Sequence, residues 1–222
     1  MRNFTAFGVL LISLSGLGLY FFLRTKDNLP APEICFVSVD AESRFNTIHW
    51  KKRDYIDAEQ FIVYRRTGFF SGYDEVARLD ASIDDFTDDY NKTPGLKKGD
   101  PNQESNSYKI AYLNRNGEMS ELSPYHSSIF LQHIGNGNFE WNYYKTGDKG
   151  ELRIDYNLVK VNPDTQDTIP VCTVQTDHAS DPDYNNTDAI NYIYFVLVNS
   201  NCADNLGVLG SRNRTKSNNT NE

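Results

Sequence analysis

The chain has 222 residues, with 22 Lys and Arg against 30 Asp and Glu, for a formal net charge of -8. Without a surplus of positive charge it lacks the basic face that neutralises phosphates, which excludes general nucleic-acid binding. At 39% hydrophobic and 13% aromatic, with 14 Tyr and 13 Phe, it builds a packed core and leans toward half-buried pleated surfaces, while three cysteines with no C-x-x-C pair exclude a disulfide-built miniprotein and a cysteine-rich zinc site.

The first element is apolar. Phe4 to Leu23 is a 20-residue run without a charge, preceded by Arg2 and followed by Arg24 and Lys26. As a helix rising about 1.5 Å per residue, it spans roughly the 30 Å of a bilayer's hydrocarbon. Two readings stand: an uncleaved signal-anchor, and a cleaved signal peptide with its best small-x-small site at Gly16-Leu17-Gly18. The anchor is preferred, because cleavage there leaves an apolar LYFFL at the new terminus. Residues 1–29 are therefore an export or anchor segment with a short stalk. The acidic remainder is expected in the cell envelope, outside the cytoplasm and joined to the membrane through residues 4–23, or secreted if the segment is cleaved.

From Pro32 onward, short apolar-aromatic runs alternate with turn-rich segments, the pattern of an all-β sandwich. Strands are predicted over Glu33–Asp40, Asn46–Lys51, Gln60–Arg66, Glu75–Leu79 and Ser107–Asn114, punctuated by Gly68, Gly72, Pro94-Gly95 and Asn116-Gly117. The series then repeats. Trp50 matches Trp141, FIVYR at Phe61–Arg65 matches YNLVK at Tyr156–Lys160, and Tyr108 falls over Tyr192, in the same order and at similar spacing. This predicts tandem copies over residues 30–125 and 126–211, with Ser127–Ile134 opening the second. A polar tail at 212–222 completes the chain and reads as disordered.

These residues resemble tandem fibronectin type III domains: a Trp on the second strand, a third strand ending in Tyr-Arg, and a Tyr opening the sixth strand ahead of N-x-N-G. Phe86-Thr87-Asp88 is similar to the family's lead-in to that strand. More narrowly, Gly117, Ser120, Ser123, His126, Ile129 and Leu131 occupy the places of a pattern in surface and gliding-associated proteins of Bacteroidetes. The resemblance implies two tandem fibronectin type III-like β-sandwiches after an N-terminal hydrophobic helix. It also implies a subunit or accessory of a gliding- or secretion-type envelope assembly.

On that fold Trp50 and Trp141 are expected between the sheets, with Tyr108 and Tyr192 sending their hydroxyls to nearby backbone. Cys172 and Cys202, in one module of an exported protein, stand either as a disulfide or as two isolated buried thiols, and Cys35 reads as a small apolar core residue. The acidic clusters around Asp80–Asp89 and Asp181–Asp188 lack the spacing of a calcium loop and read as solvated carboxylates, so no metal and no cofactor is assigned. No G-x-S-x-G, H-E-x-x-H or glycine-rich phosphate loop is present, and no enzymatic activity is expected. Binding is expected instead, at two loops. One is the long loop Asp89–Asn106, with Lys92, Lys97 and Lys98; the other is TGFFSGY, with Phe69, Phe70 and Tyr73. Other envelope proteins are the expected partners. The alternative is a surface adhesin whose exposed aromatics stack on a glycan.

Overall fold

The computed structural model describes residues 28–39, 44–51, 55–67, 72–147, 149–184, 192–199 and 208–213. The hydrophobic segment Phe4–Leu23, the loop residues Phe69 and Phe70, Cys202 and the tail beyond residue 213 lie outside them. Among the described residues no helix is long and apolar enough to cross a membrane.

The first module carries β1 (Ile34–Val39), β2 (Asn46–Trp50), β3 (Ala58–Thr67), β4 (Asp74–Asp80), β5 (Asp85–Asp88), β6 (Asn106–Asn114) and β7 (His126–Ser127). The order β1-β2-β5 makes one sheet, and β7-β6-β3-β4 runs through the sheet opposite. Alternation along the strands aims one set of side chains at the space between. Phe61 and Val63 of β3 face that space beside Tyr108, Ile110 and Tyr112 of β6, across from Ile34, Val37, Ile48 and Trp50. The Trp50 and Phe61 rings lie 5.5 Å apart.

The second module carries β8 (Leu131–Gly135), β9 (Asn138–Trp141), β10 (Lys145–Thr146), β11 (Gly150–Glu151), β12 (Tyr156–Val161), β13 (Thr168–Val174), β14 (His178–Ser180), β15 (Ile193–Asn199) and β16 (Val208–Asn213). Its sheets run β14-β9-β8 and β13-β12-β15-β16. This repeats the three-plus-four plan of the first module. Trp141 sits 6.0 Å from Tyr156, as Trp50 does beside Phe61. Trp50, Tyr108 and Trp141 are all buried. Tyr192 is half-buried at the margin of the second core, whereas Tyr194 is buried within it.

The two modules share material. The β1–β2 register shifts between Ile34 and Phe36. An irregularity of that kind re-aims side chains that would otherwise alternate strictly. Ile34 and Val37 enter the first core, while Phe36 enters the second, with Cys35 packed against it. The Val37 N–H donates to the Tyr144 hydroxyl of the second module at 3.0 Å. The larger sheet also continues past the linker, because β7 pairs with β10 and β10 with β11.

After β6 the chain runs back along that strand without forming a regular ladder. Gly117, at φ +75, makes the expected turn. The Ile110 N–H then donates to Ser123 Oγ at 2.9 Å and the Tyr112 N–H to Ser120 Oγ at 3.0 Å. Each serine returns its own N–H to the same residue's carbonyl. Both serines are buried, and their hydroxyls stand in for the carbonyls of an absent edge strand.

Two cysteine expectations give way: the bridge from Cys172 to Cys202 and the unlinked Cys35. Cys172 carries a free thiol, and Cys35 is the disulfide-bonded cysteine. Cys172 lies on β13, and Cys202 lies outside the described residues.

Candidate functional site

Each module buries a cation, a carboxylate and a tyrosine at the same place in its fold. In the first, Arg65 of β3 faces Tyr108 of β6 across the ladder. Arg65 Nη1 donates to both oxygens of Asp88, at 2.7 and 2.8 Å, and Tyr108 donates its hydroxyl to Asp88 Oδ2 at 2.8 Å. In the second, Lys160 of β12 faces Tyr194 of β15. Lys160 Nζ lies 2.7 Å from Asp181 Oδ2, which accepts from Tyr194 at 2.8 Å. Burial pushes the Asp181 carboxyl up, but the bonds from Lys160 and Tyr194 outweigh it and hold the group below its ordinary value. Burial and then Asp88 push the Tyr108 hydroxyl far up. These groups are closed to solvent and mutually satisfied, which is a structural arrangement rather than a reactive one.

The tyrosines therefore bond to carboxylates and not to backbone, and the repeat pairs Tyr108 with Tyr194 rather than Tyr192. Tyr192 instead lies with its ring 5.2 Å from Lys160 Nζ. The two acidic clusters are likewise split. Asp88 and Asp181 are buried ion-pair partners, and among the described residues no group of three or more His, Cys, Asp or Glu could hold a metal ion.

The loop between β5 and β6 is fastened to the first of these triads. Arg65 Nη2 donates to the Lys97 carbonyl at 2.6 Å, and Asn46 Nδ2 donates to the Gly99 carbonyl at 3.2 Å. A Cβ on Gly99 would come 2.8 Å from Arg65 Cδ, so the close approach requires glycine. Lys92, Lys97 and Lys98 remain exposed. Lys97 pairs with Glu104 at 2.7 Å and Lys92 with Asp89 at 3.4 Å.

Tyr73 is half-buried and central to a cluster on the outer face of the larger sheet. The Arg66 guanidinium lies 5.0 Å from the Tyr73 ring centre and 5.5 Å from that of Tyr125. Lys109 Nζ lies 5.1 Å from the same Tyr73 ring. Arg66 is opposite Ser107 in the β3–β6 ladder, which makes Lys109 its diagonal neighbour on one face. Burial pushes the Tyr73 hydroxyl up, and Arg66 opposes that. Tyr125 is held from the second module: its carbonyl accepts from the Gly147 N–H at 2.7 Å. A Cβ at Gly147 would meet the Tyr125 nitrogen at 2.8 Å. Tyr73 carried an aromatic-loop signal, but Arg66, Lys109 and Tyr125 carried none, being distant in sequence and unremarkable singly.

A groove of about 430 Å³ opens where the modules meet, lined by Glu104, Phe130, Glu140, Trp141, Asp177 and His178 among others. His178 Nδ1 is 3.1 Å from Asp177 Oδ1, with the two side chains 66% and 48% exposed.

No protein-family model and no curated protein matches the chain. Among solved structures it is similar to an Fn3-like protein from Clostridium thermocellum, at 18% identity and a TM-score of 0.33, covering 44% of this chain and 90% of that one. It is also similar to the FN1–FN3 domains of chicken CNTN1, at 12% identity and a TM-score of 0.33, covering 78% of this chain and 63% of that one. The strand order and the repeated cores define the class: an all-β chain of two β-sandwiches.

Proposed function

We propose that this chain is a non-enzymatic interaction protein of the cell envelope, held at the membrane by residues 4–23, that contributes two coupled sandwiches to a multi-protein assembly. The observation that carries this reading is the shared β1, which places Phe36 in one core and Ile34 and Val37 in the other. Tandem modules joined by a bare linker move independently by default. Sharing a strand instead fixes one surface, including the Tyr73 cluster and the junction groove, in a single geometry for a partner. Preorganisation of that kind lowers the cost of binding. The resemblance of Gly117, Ser120, Ser123, His126, Ile129 and Leu131 to gliding-associated proteins supports an assembly of the gliding or secretion type.

The test is a mild-detergent pull-down of the tagged full chain from its own cells, with mass spectrometry of everything retained. The wild-type chain is expected to retain a stoichiometric set of envelope proteins with Met1–Leu23 still attached. A Phe36→Ala variant is expected to release that set. A free, cleaved chain without stoichiometric partners contradicts the reading.

A further inference from the structure

We propose that Arg66 and Lys109, framed by Tyr73 and Tyr125, form a receptor for carboxylates on an extended acidic segment of a partner protein. This rests on the interaction-protein reading and names the chemistry of its partner.

Several cations of this acidic chain have a carboxylate partner, whereas Arg153 lies 5.3 Å from the Tyr143 ring without one among the described residues. Lys51, Arg65, Arg78, Lys97, Lys145 and Lys160 each have a carboxylate at 2.7 to 2.9 Å. Arg66 and Lys109 instead rest over tyrosine rings, with no ion pair to a carboxylate among the described residues. Two like charges within about 5 Å of one ring repel each other, and an anion between them removes that repulsion. A guanidinium near tyrosine rings keeps N–H donors in a fork that a carboxylate accepts bidentately, and Arg66 has no ion pair to a carboxylate among the described residues. The rings also hold Arg66 in place before any ligand arrives, and Gly147 holds Tyr125.

Two features favour a peptide over an acidic sugar. Both cations already lie over the Tyr73 ring, the surface on which a pyranose would stack. The diagonal spacing of Arg66 and Lys109 across two strands is roughly 7–8 Å. Alternate side chains of an extended strand recur at about 6.6 Å, so carboxylates at i and i+2 of an acidic segment meet both cations.

The test is fluorescence anisotropy of fluorescein-labelled octaglutamate with the detergent-solubilised full chain, at low salt and at about 0.3 M salt. Binding is expected at low salt and is expected to weaken as salt rises. Arg66→Gln with Lys109→Gln is expected to lower affinity about tenfold or more. Arg66→Lys, which keeps the charge and removes the fork, is expected to lower it severalfold. Arg115→Gln, in the exposed turn after β6, is expected to leave it unchanged. Equal binding by the wild type and the double variant overturns the proposal, as does an absence of wild-type binding. Stronger binding of hexagalacturonate than of octaglutamate overturns it in favour of a glycan. If octaglutamate fails while the pull-down still retains its stoichiometric set, the carboxylate assignment falls and the interaction reading stands. If octaglutamate binds and no set is retained, the reverse holds.

Discussion

Arg65 and Lys160 are buried strand cations, and each is tolerated because an aspartate and a tyrosine complete it. Removing one partner of a buried pair strands the other charge, at a cost of about 3–5 kcal/mol. Asp88→Asn and Asp181→Asn are therefore expected to lose that much in urea unfolding. Tyr108→Phe and Tyr194→Phe remove one bond from a carboxylate that keeps its cation, and are expected to lose about 1–3 kcal/mol. Equal losses in both sets would contradict the assignment of the cation as the dominant partner. The free Cys172 thiol gives a second check: it should alkylate in the unreduced, unfolded protein, whereas Cys35 should require reduction. At this scale the sequence was legible in part. FIVYR over YNLVK aligns Arg65 with Lys160 correctly. The sequence match sets Tyr108 over Tyr192, whereas the structure pairs it with Tyr194, two residues on, and a two-residue slip keeps the same face of a strand. What separates them is Asp181, which reaches Tyr194 from a different segment and leaves no local signal.

The elements of the first module follow closely from alternation and turn residues, since β1, β2, β3, β4 and β6 overlap the runs rich in β-branched and aromatic residues. Shorter strands did not stand out: β14 has three residues and β10 and β11 two each, too few to show a period. The length and lysines of the loop before β6 point to a binding loop. Its anchoring comes from the backbone carbonyls of Lys97 and Gly99, which residue identity does not reveal. Ser120 and Ser123 replace a strand edge, so Ser120→Ala and Ser123→Ala each leave a buried amide without an acceptor, at about 1–3 kcal/mol. Hydrogen exchange should show faster exchange at Tyr112 in the first variant and at Ile110 in the second. Two strand histidines set a pH dependence. Burial lowers both His49 and His133 below the ordinary 6.5, with Asp85 and Asp84 opposing the shift at His49. His49 lies 4.3 Å from the Phe36 ring, and His133 Nε2 accepts from the Gly137 N–H. A depressed folded value means that the unfolded chain binds the proton more readily. Their stability contribution is thus complete above about pH 6.5 and lost as pH falls through the folded values. Unfolding free energy should decline from pH 7.5 to 5.5, and His49→Gln with His133→Gln should flatten that decline.

For the whole molecule, the tandem plan was legible from the Trp, Tyr and third-strand matches, but its joint was not. A linear reading placed a boundary near Tyr125. In the structure Phe36 from near the beginning of the first module fills the second core, and β7, β10 and β11 extend one sheet past the linker. Nothing in the periodicity of ICFVSV distinguishes a residue aimed at its own core from one aimed at its neighbour's, because the register shift at Cys35 is a property of the pairing with β2. Coupling through that strand underlies the proposed function, and the two tryptophans, one per module, make it measurable. Urea unfolding followed by Trp fluorescence in Trp141→Phe reports the first module, and in Trp50→Phe the second. Each variant should also be followed by circular dichroism, which sees both modules. The account predicts that in each variant the two probes trace one coincident transition, and that adding Phe36→Ala separates them. Separate transitions with Phe36 intact would show two independent modules and contradict it.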